Sequence, residues 1–283
     1  MGRKRMKKYI RIAIAYDFDG TLAPDNMQER NFIPKLGIEP AKFWKRVRTM
    51  ARKNDMDEIL AYMQLMIKEG INRGIKIDKR AFKKYGKGIK TFKGVKRWFT
   101  MIKNYAKKKG VIIEHYIISS GLREMIDGTS IKKHFNHIFA SGFKYDQHDV
   151  AEWPALAVNY TNKTQYLFRI SKGVMNSHEN RAVNKYIPQD KRSIPFTNII
   201  YIGDGETDIP CLKVLKLKGG HSIVVYPPRK RRARKNIEKL IKRKIADCGF
   251  VADYSSGSKL DKAVKSIIDL IVARENFKIN SRG

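Results

Sequence analysis

Residues Tyr9 to Tyr16 form a short apolar run, interrupted only at Arg11, that stops at Asp17-Phe-Asp-Gly-Thr-Leu22. A β-branched run bounded by a turn signal reads as a strand buried on both faces, the kind found in parallel sheets. Such a strand requires cover above and below, and it delivers its carboxyl end to a loop. In extended chain, residues i and i+2 point the same way, so Asp17 and Asp19 face one site. Two carboxylates this close are not comfortably ionised together without a cation, which points to a hard metal such as Mg²⁺. Asp19-Gly20 also fits a hairpin turn, but the run before it does not read as half of a hairpin.

Three further runs have the same character. Val111–Ile118 stops at Ser119-Ser120-Gly121, Asn198–Ile202 at Gly203-Asp204-Gly205, and Ser222–Tyr226 at Pro227-Pro228. Between them lie amphipathic helices. Val95–Lys109 carries Val95, Trp98, Phe99, Ile102 and Tyr105 at helical spacing, and Ser258–Ala273 carries Leu260, Val264, Ile267, Ile268 and Ile271. Strands alternating with helices imply an α/β fold with a Rossmann-like parallel sheet. Ligands of such sheets bind outside the carboxyl ends of the strands, where the Asp, Ser and Gly residues gather. The loop Gly203-Asp204-Gly205-Glu206-Thr207-Asp208 would there complete an acidic cation site with Asp17 and Asp19.

The stretch from Ala23 to Lys90 departs from the alternation. Its periodicity is helical, with expected helices at Glu39–Lys53 and Met56–Gly70, and its Met and Trp residues read as packing. The expected organisation is therefore a core of residues 1–22 and 91–283 with an inserted helical cap at 23–90.

Taken together, the motifs resemble those of haloacid dehalogenase (HAD) superfamily phosphohydrolases. That family orders an Asp-x-Asp-Gly-Thr strand end, a Ser or Thr after the second strand, a Lys, and a Gly-Asp-x-x-x-Asp loop. Here these correspond to Asp17-Phe-Asp19-Gly-Thr21, to Ser119, to Lys163, and to Gly203-Asp204 with Asp208. The position of the helical insert resembles the C1-type cap class that includes phosphoserine phosphatases. The resemblance implies that Asp17 is a nucleophile forming an aspartyl-phosphate and that Asp19 is the general acid and base. It also implies a Mg²⁺ site made by Asp17, Asp19 through its backbone carbonyl, and Asp204, with Asp208 orienting the cluster. Ser119, Ser120, Gly121 and Lys163 would bind phosphate. An Asp two residues after the nucleophile accompanies the phosphatase and mutase branches and argues against the ATPase and dehalogenase branches.

The lysine is the assignment with a rival. Thr161 or Asn162 is expected to cap a helix at Thr164–Lys172. A cation at a helix start opposes the helix dipole, so Lys163 there suggests a function. Lys172, before Gly173 at the helix end, is the alternative, and a cation is expected there anyway.

Composition bears on partners. Sixty Lys and Arg against 27 Asp and Glu leave a net charge of +33. Fifteen of those charges sit in two short stretches, +6 in the first eleven residues and +9 in Arg229–Lys244. Within the second, Ile237, Leu240, Ile241 and Ile245 predict a docked helix in the latter half, while Arg229–Lys235 is expected to be exposed. That half is a candidate contact for nucleic-acid phosphates, although a plain charged surface explains it more simply. Two cysteines, Cys211 and Cys248, exclude a disulfide scaffold and a Cys-type zinc module. His134 and His137 have metal-like spacing but no third ligand, and their surroundings read as a capped helix. Asn159-Tyr-Thr is a formal glycosylation sequon without a secretory context. The amino terminus lacks a cleavage site, and no segment is long and apolar enough to span a bilayer. The expectation is a cytoplasmic, Mg²⁺-dependent phosphomonoesterase acting on a small phosphorylated metabolite. The alternatives are a phosphatase for nucleotides or nucleic-acid end phosphates, and a basic nucleic-acid-binding protein on a HAD core. Four acids in a basic chain argue against the last.

Overall fold

The computed structural model describes residues 9–281; residues 1–8 and 282–283, including most of the basic amino-terminal stretch, lie outside them. The chain runs β1 (Ile10–Tyr16), α1 (Met27–Asn31), α2 (Pro40–Asn54), α3 (Glu58–Asn72), α4 (Lys79–Gly86), α5 (Val95–Lys107), β2 (Val111–Leu122) and α6 (Arg123–Asp127). It continues through β3 (His137–Tyr145), β4 (Ala151–Leu156), α7 (Lys163–Lys172), α8 (Asn180–Asn184), β5 (Ile199–Gly203) and α9 (Ile209–Lys218). The last elements are β6 (His221–Tyr226), α10 (Arg231–Lys242), β7 (Cys248–Val251) and α11 (Lys259–Asn280).

The strands form one sheet in the order β4-β3-β2-β1-β5-β6-β7, parallel except for the β3–β4 pair. β1 is central, with Tyr16 opposite Ile117 of β2 and Ile202 of β5. The chain moves outward from β1 on one side through β2 to β4 and on the other through β5 to β7. Its switch point, where an open α/β sheet parts to hold a ligand, therefore lies between β1 and β5.

Alternation along β1 distributes the core. Ile12, Ile14 and Tyr16 pack on one face with Trp98 and Phe99 of α5 and Val264 and Ile268 of α11. Ala13 and Ala15 turn to the other face, where α7, α9 and α10 contribute Leu167, Leu212 and Ile237. Small residues on that face let the helices approach the central strand closely. Between β1 and α5 the chain is helical, and its regular elements are α1 to α4.

Four details differ from expectation. β2 runs on past Ser119 to Leu122, pairing again with Ser141 of β3 after a register shift, because the adjacent strand supplies partners beyond the apolar run. His134 and His137 do not lie in a capped helix; a single 3-10 turn gives way to β3, and the two rings pack against Phe99 and Phe139. The α7 start has no side-chain cap, since Asn162 accepts instead from the Asn159 backbone amide. α10 begins at Arg231, inside the stretch expected to precede the helix, because all of its cations can point outward while Ile237 and Leu240 pack inward.

Candidate active site

β1 ends at Tyr16, and the next residues carry the site. The Asp17 amide donates to the Ile202 carbonyl at 3.0 Å, so the first acid is still held by β5. Its Oδ1 accepts from the Phe18 amide at 2.7 Å and its Oδ2 meets Lys163 Nζ at 2.9 Å. The chain then turns at Gly20, whose φ of 76° is strained for any residue with a Cβ. A Cβ there would also stand 2.2 Å from Asp204 Oδ2. Glycine at this position is thus what lets the two acidic loops approach each other.

Asp204 and Asp208 follow β5. Asp208 is fully buried, and both its oxygens are committed: Oδ1 accepts from Lys163 Nζ at 2.9 Å and from the Tyr201 hydroxyl at 2.6 Å, and Oδ2 from the Asp204 amide at 3.0 Å. It orders the loop that presents Asp204, which opens to solvent. Carboxylate oxygens of Asp17, Asp204 and Asp208 all lie within 4.8 Å of one another. With Asp208 committed to its own partners, Asp17 and Asp204 are the carboxylates of this cluster that offer hard oxygens to a Mg²⁺-like cation.

Lys163 reaches this cluster from the first residue of α7 and is 1% exposed. Burial opposes its charge, but the carboxylates of Asp17 and Asp208 outweigh burial and hold the ammonium protonated. Asp17 is pushed up to about 6, chiefly by burial, with Lys163 pulling it back and Asp208 adding to the rise. Lys172 stands elsewhere, its ammonium donating to the carbonyls of Val183 and Lys185 at 2.6 and 2.7 Å. Of the two candidate lysines, Lys163 is therefore the one placed among the acids.

Asp19 sits apart from the three-carboxylate cluster. Its Oδ1 accepts from the Met27 amide at the start of α1 at 3.0 Å, and its Oδ2 lies 3.1 Å from where a Cβ on Gly121 would be. Burial, and next the Asp17 charge, raise its carboxyl well above the ordinary value. It therefore stands between the end of β1 and the Ser119-Ser120-Gly121 segment. Ser119 is buried, and its Oγ accepts from the Gly121 amide at 3.0 Å, while its own proton has no acceptor among the described residues. The Ser120 hydroxyl is buried and has no partner among the described residues.

Three contributors escaped the sequence reading. Tyr201 was marked only by one hydroxyl in an otherwise aliphatic buried strand. Tyr62 of α3 donates to the Ser120 carbonyl at 2.7 Å, and Asp57, before α3, accepts from Asn159 Nδ2 at 2.9 Å. Both tie the helical insert to site loops across long sequence separations, and no local pattern announces such pairs.

Fold and site together define an α/β protein with an acidic centre at the switch point of its sheet. A model of the haloacid dehalogenase-like hydrolase family matches residues 14–213, and the chain belongs to that family. A protein of Borreliella burgdorferi (strain B31), named only as uncharacterised, is 29% identical over 278 residues, covering 88% of this chain and 93% of its own. Among solved structures, a phosphoserine phosphatase holding an analogue of its phospho-aspartyl intermediate superposes with a TM-score of 0.52 at 16% identity, covering 91% of this chain and 99% of that one. A probable phosphoserine phosphatase from Vibrio cholerae gives 0.56 at 12% identity, covering 94% and 67%. These two likenesses show a shared fold.

Proposed function

We propose that the protein is a Mg²⁺-dependent phosphomonoesterase that works through an aspartyl-phosphate on Asp17 and acts on a small phosphorylated metabolite. The observation that carries this reading is the buried Asp17 carboxylate held between Lys163 and the acidic loop, 2.9 Å from the ammonium. An oxygen of Asp17 attacks phosphorus as the ester P–O bond breaks, and Asp19 gives its proton to the leaving alkoxide. Asp19, now ionised, takes a proton from the water that attacks the phosphoryl group, and Asp17 is released with inorganic phosphate. The raised carboxyl of Asp19 suits the first of these roles, and its bond to the Met27 amide aims it.

Lys163 and the Ser119 hydroxyl supply positive charge and a hydrogen-bond donor for the transferring oxygens, which is where phosphoryl-transfer catalysis is concentrated. Asp17, the Asp19 carbonyl and Asp204 would hold Mg²⁺, with Asp208 keeping the loop in place. A cation bound there would offset the repulsion between an anionic nucleophile and an anionic phosphate. The insert at 23–90 would act as the cap, a reading supported by its contacts through Tyr62 to the Ser120 carbonyl and through Asp57 to Asn159.

The test is phosphate release from an aryl phosphate by wild type and Asp17→Asn, with Mg²⁺ or with a chelator. The reading predicts loss of roughly 10³-fold or more in kcat in the variant, and loss with the chelator. Equal rates in wild type and variant would refute it.

A further inference from the structure

Arg229–Lys244 holds ten Lys and Arg and one Glu, and all ten cationic residues are exposed. Among the described residues only Arg234 carries an ion pair, to Glu238 at 2.8 Å, leaving nine cations facing solvent. Most of them are arrayed along α10, whose twelve residues extend about 18 Å.

The inner face of α10 is already occupied. Ile237 and Leu240 are buried in the core, and Ile241 packs beside them. An interfacial membrane helix needs a free apolar face to insert, so this helix lacks what a lipid surface would take up. Its exposed side chains are Arg, Lys, Asn and Glu, which also denies a protein partner the buried aromatic or aliphatic anchors that centre an interface. α10 contains no aromatic residue, so nothing on it stacks on bases. What remains is a row of cations suited to a repeating anion. The helix also borders the candidate site: Leu240 Cδ1 lies 3.8 Å from where a Cβ on Gly205 would stand, in the loop that presents Asp204.

We propose that Arg229–Lys244 is a sequence-independent docking surface for the phosphodiester backbone of nucleic acid. The proposal concerns binding and stands apart from the chemistry assigned to Asp17.

The experiment is fluorescence anisotropy with labelled single-stranded oligonucleotides of about 20 residues, one of oligo-dT and one of mixed sequence, from about 50 to 200 mM salt. The wild type is expected to bind both within about threefold of each other, with affinity falling steeply as salt rises. In Arg231→Ala/Arg232→Ala/Lys235→Ala, removal of three phosphate contacts is expected to weaken binding at least tenfold and flatten the log–log salt slope by about 2. Alanine favours helix and no buried side chain changes, so α10 is retained. The comparison variant Lys45→Ala/Arg48→Ala/Arg52→Ala removes the same charge from exposed positions on α2 and is expected to stay within about twofold of wild type. Equal losses in the two variants would overturn the proposal, because binding would then follow net charge alone. No oligonucleotide binding at the lowest salt, or binding only to phosphatidylserine vesicles, would overturn it as well.

Discussion

At the scale of single residues, the chain places charge where burial alone would forbid it. Lys163 and Asp208 are 1% and 0% exposed; the ammonium is tolerable because Asp17 and Asp208 both pair with it, and Asp208 because it accepts from Lys163, the Tyr201 hydroxyl and the Asp204 amide. His115 is the opposite case, a buried histidine whose ring no carboxylate partners among the described residues. Trp98 Nε1 donates to the Tyr16 hydroxyl at 2.9 Å, and that hydroxyl meets His115 Nδ1 at 3.1 Å, an arrangement that suits the neutral ring. Burial, and next the Lys103 charge, lower its pKa from 6.5 to about 3. The unfolded chain therefore binds the proton first, so stability is unaffected above pH 6.5 and is lost progressively as pH falls from there towards about 3. At pH 5 the loss from this group is about 2 kcal/mol. His115→Asn keeps an acceptor near the Tyr16 hydroxyl without the titrating ring. Denaturant melts at pH 7 and pH 5 should show the wild type losing about 2 kcal/mol more than this variant. Parallel losses in the two proteins would remove His115 from the account.

At the scale of elements, strands were legible where one rule decided them. β1 reads as a buried parallel strand because neighbours flank both its edges and both its faces pack in the core. β3 was missed because Ser141-Gly142 interrupts its apolar run, and β7 because four half-exposed residues carry too little pattern. Both owe their existence to neighbouring strands rather than to local preference. The helical insert shows the same limit. Its helices were readable from apolar spacing, but its attachment was not. Asp57 both caps α3, accepting from the Ile59 and Leu60 amides at 2.8 and 3.1 Å, and reaches Asn159 ahead of Lys163. Asp57→Ala should lower stability by about 1–2 kcal/mol, the usual cost of a lost cap plus one hydrogen bond, seen as a reduced Tm in a thermal melt. Asp57→Asn should recover most of the cap. An unchanged Tm in Asp57→Ala would show that neither bond contributes.

At the scale of the whole molecule, the sheet order explains why the site residues come from distant parts of the sequence. β2, β1 and β5 are neighbours, so the strand ends that carry Ser119, Asp17 and Asp204 lie side by side although some 85 to 187 positions separate these residues. The strand ends and their polar residues were visible in the sequence, and so was their order. The commitment of Asp208 to Lys163, Tyr201 and the Asp204 amide was not, because it depends on which faces of β5 and α7 come together. The net charge of +33 likewise looked like a property of the entire chain, whereas a dense share of it belongs to one helix beside an acidic centre. The central claim is that Asp17 attacks phosphorus. Its most direct measurement is mass spectrometry of protein quenched in acid during turnover of an aryl phosphate. A peptide heavier by one phosphoryl group is expected, with the addition on Asp17 and absent from Asp17→Asn. A turning-over enzyme that never carries that addition, or carries it on another residue, would contradict the account.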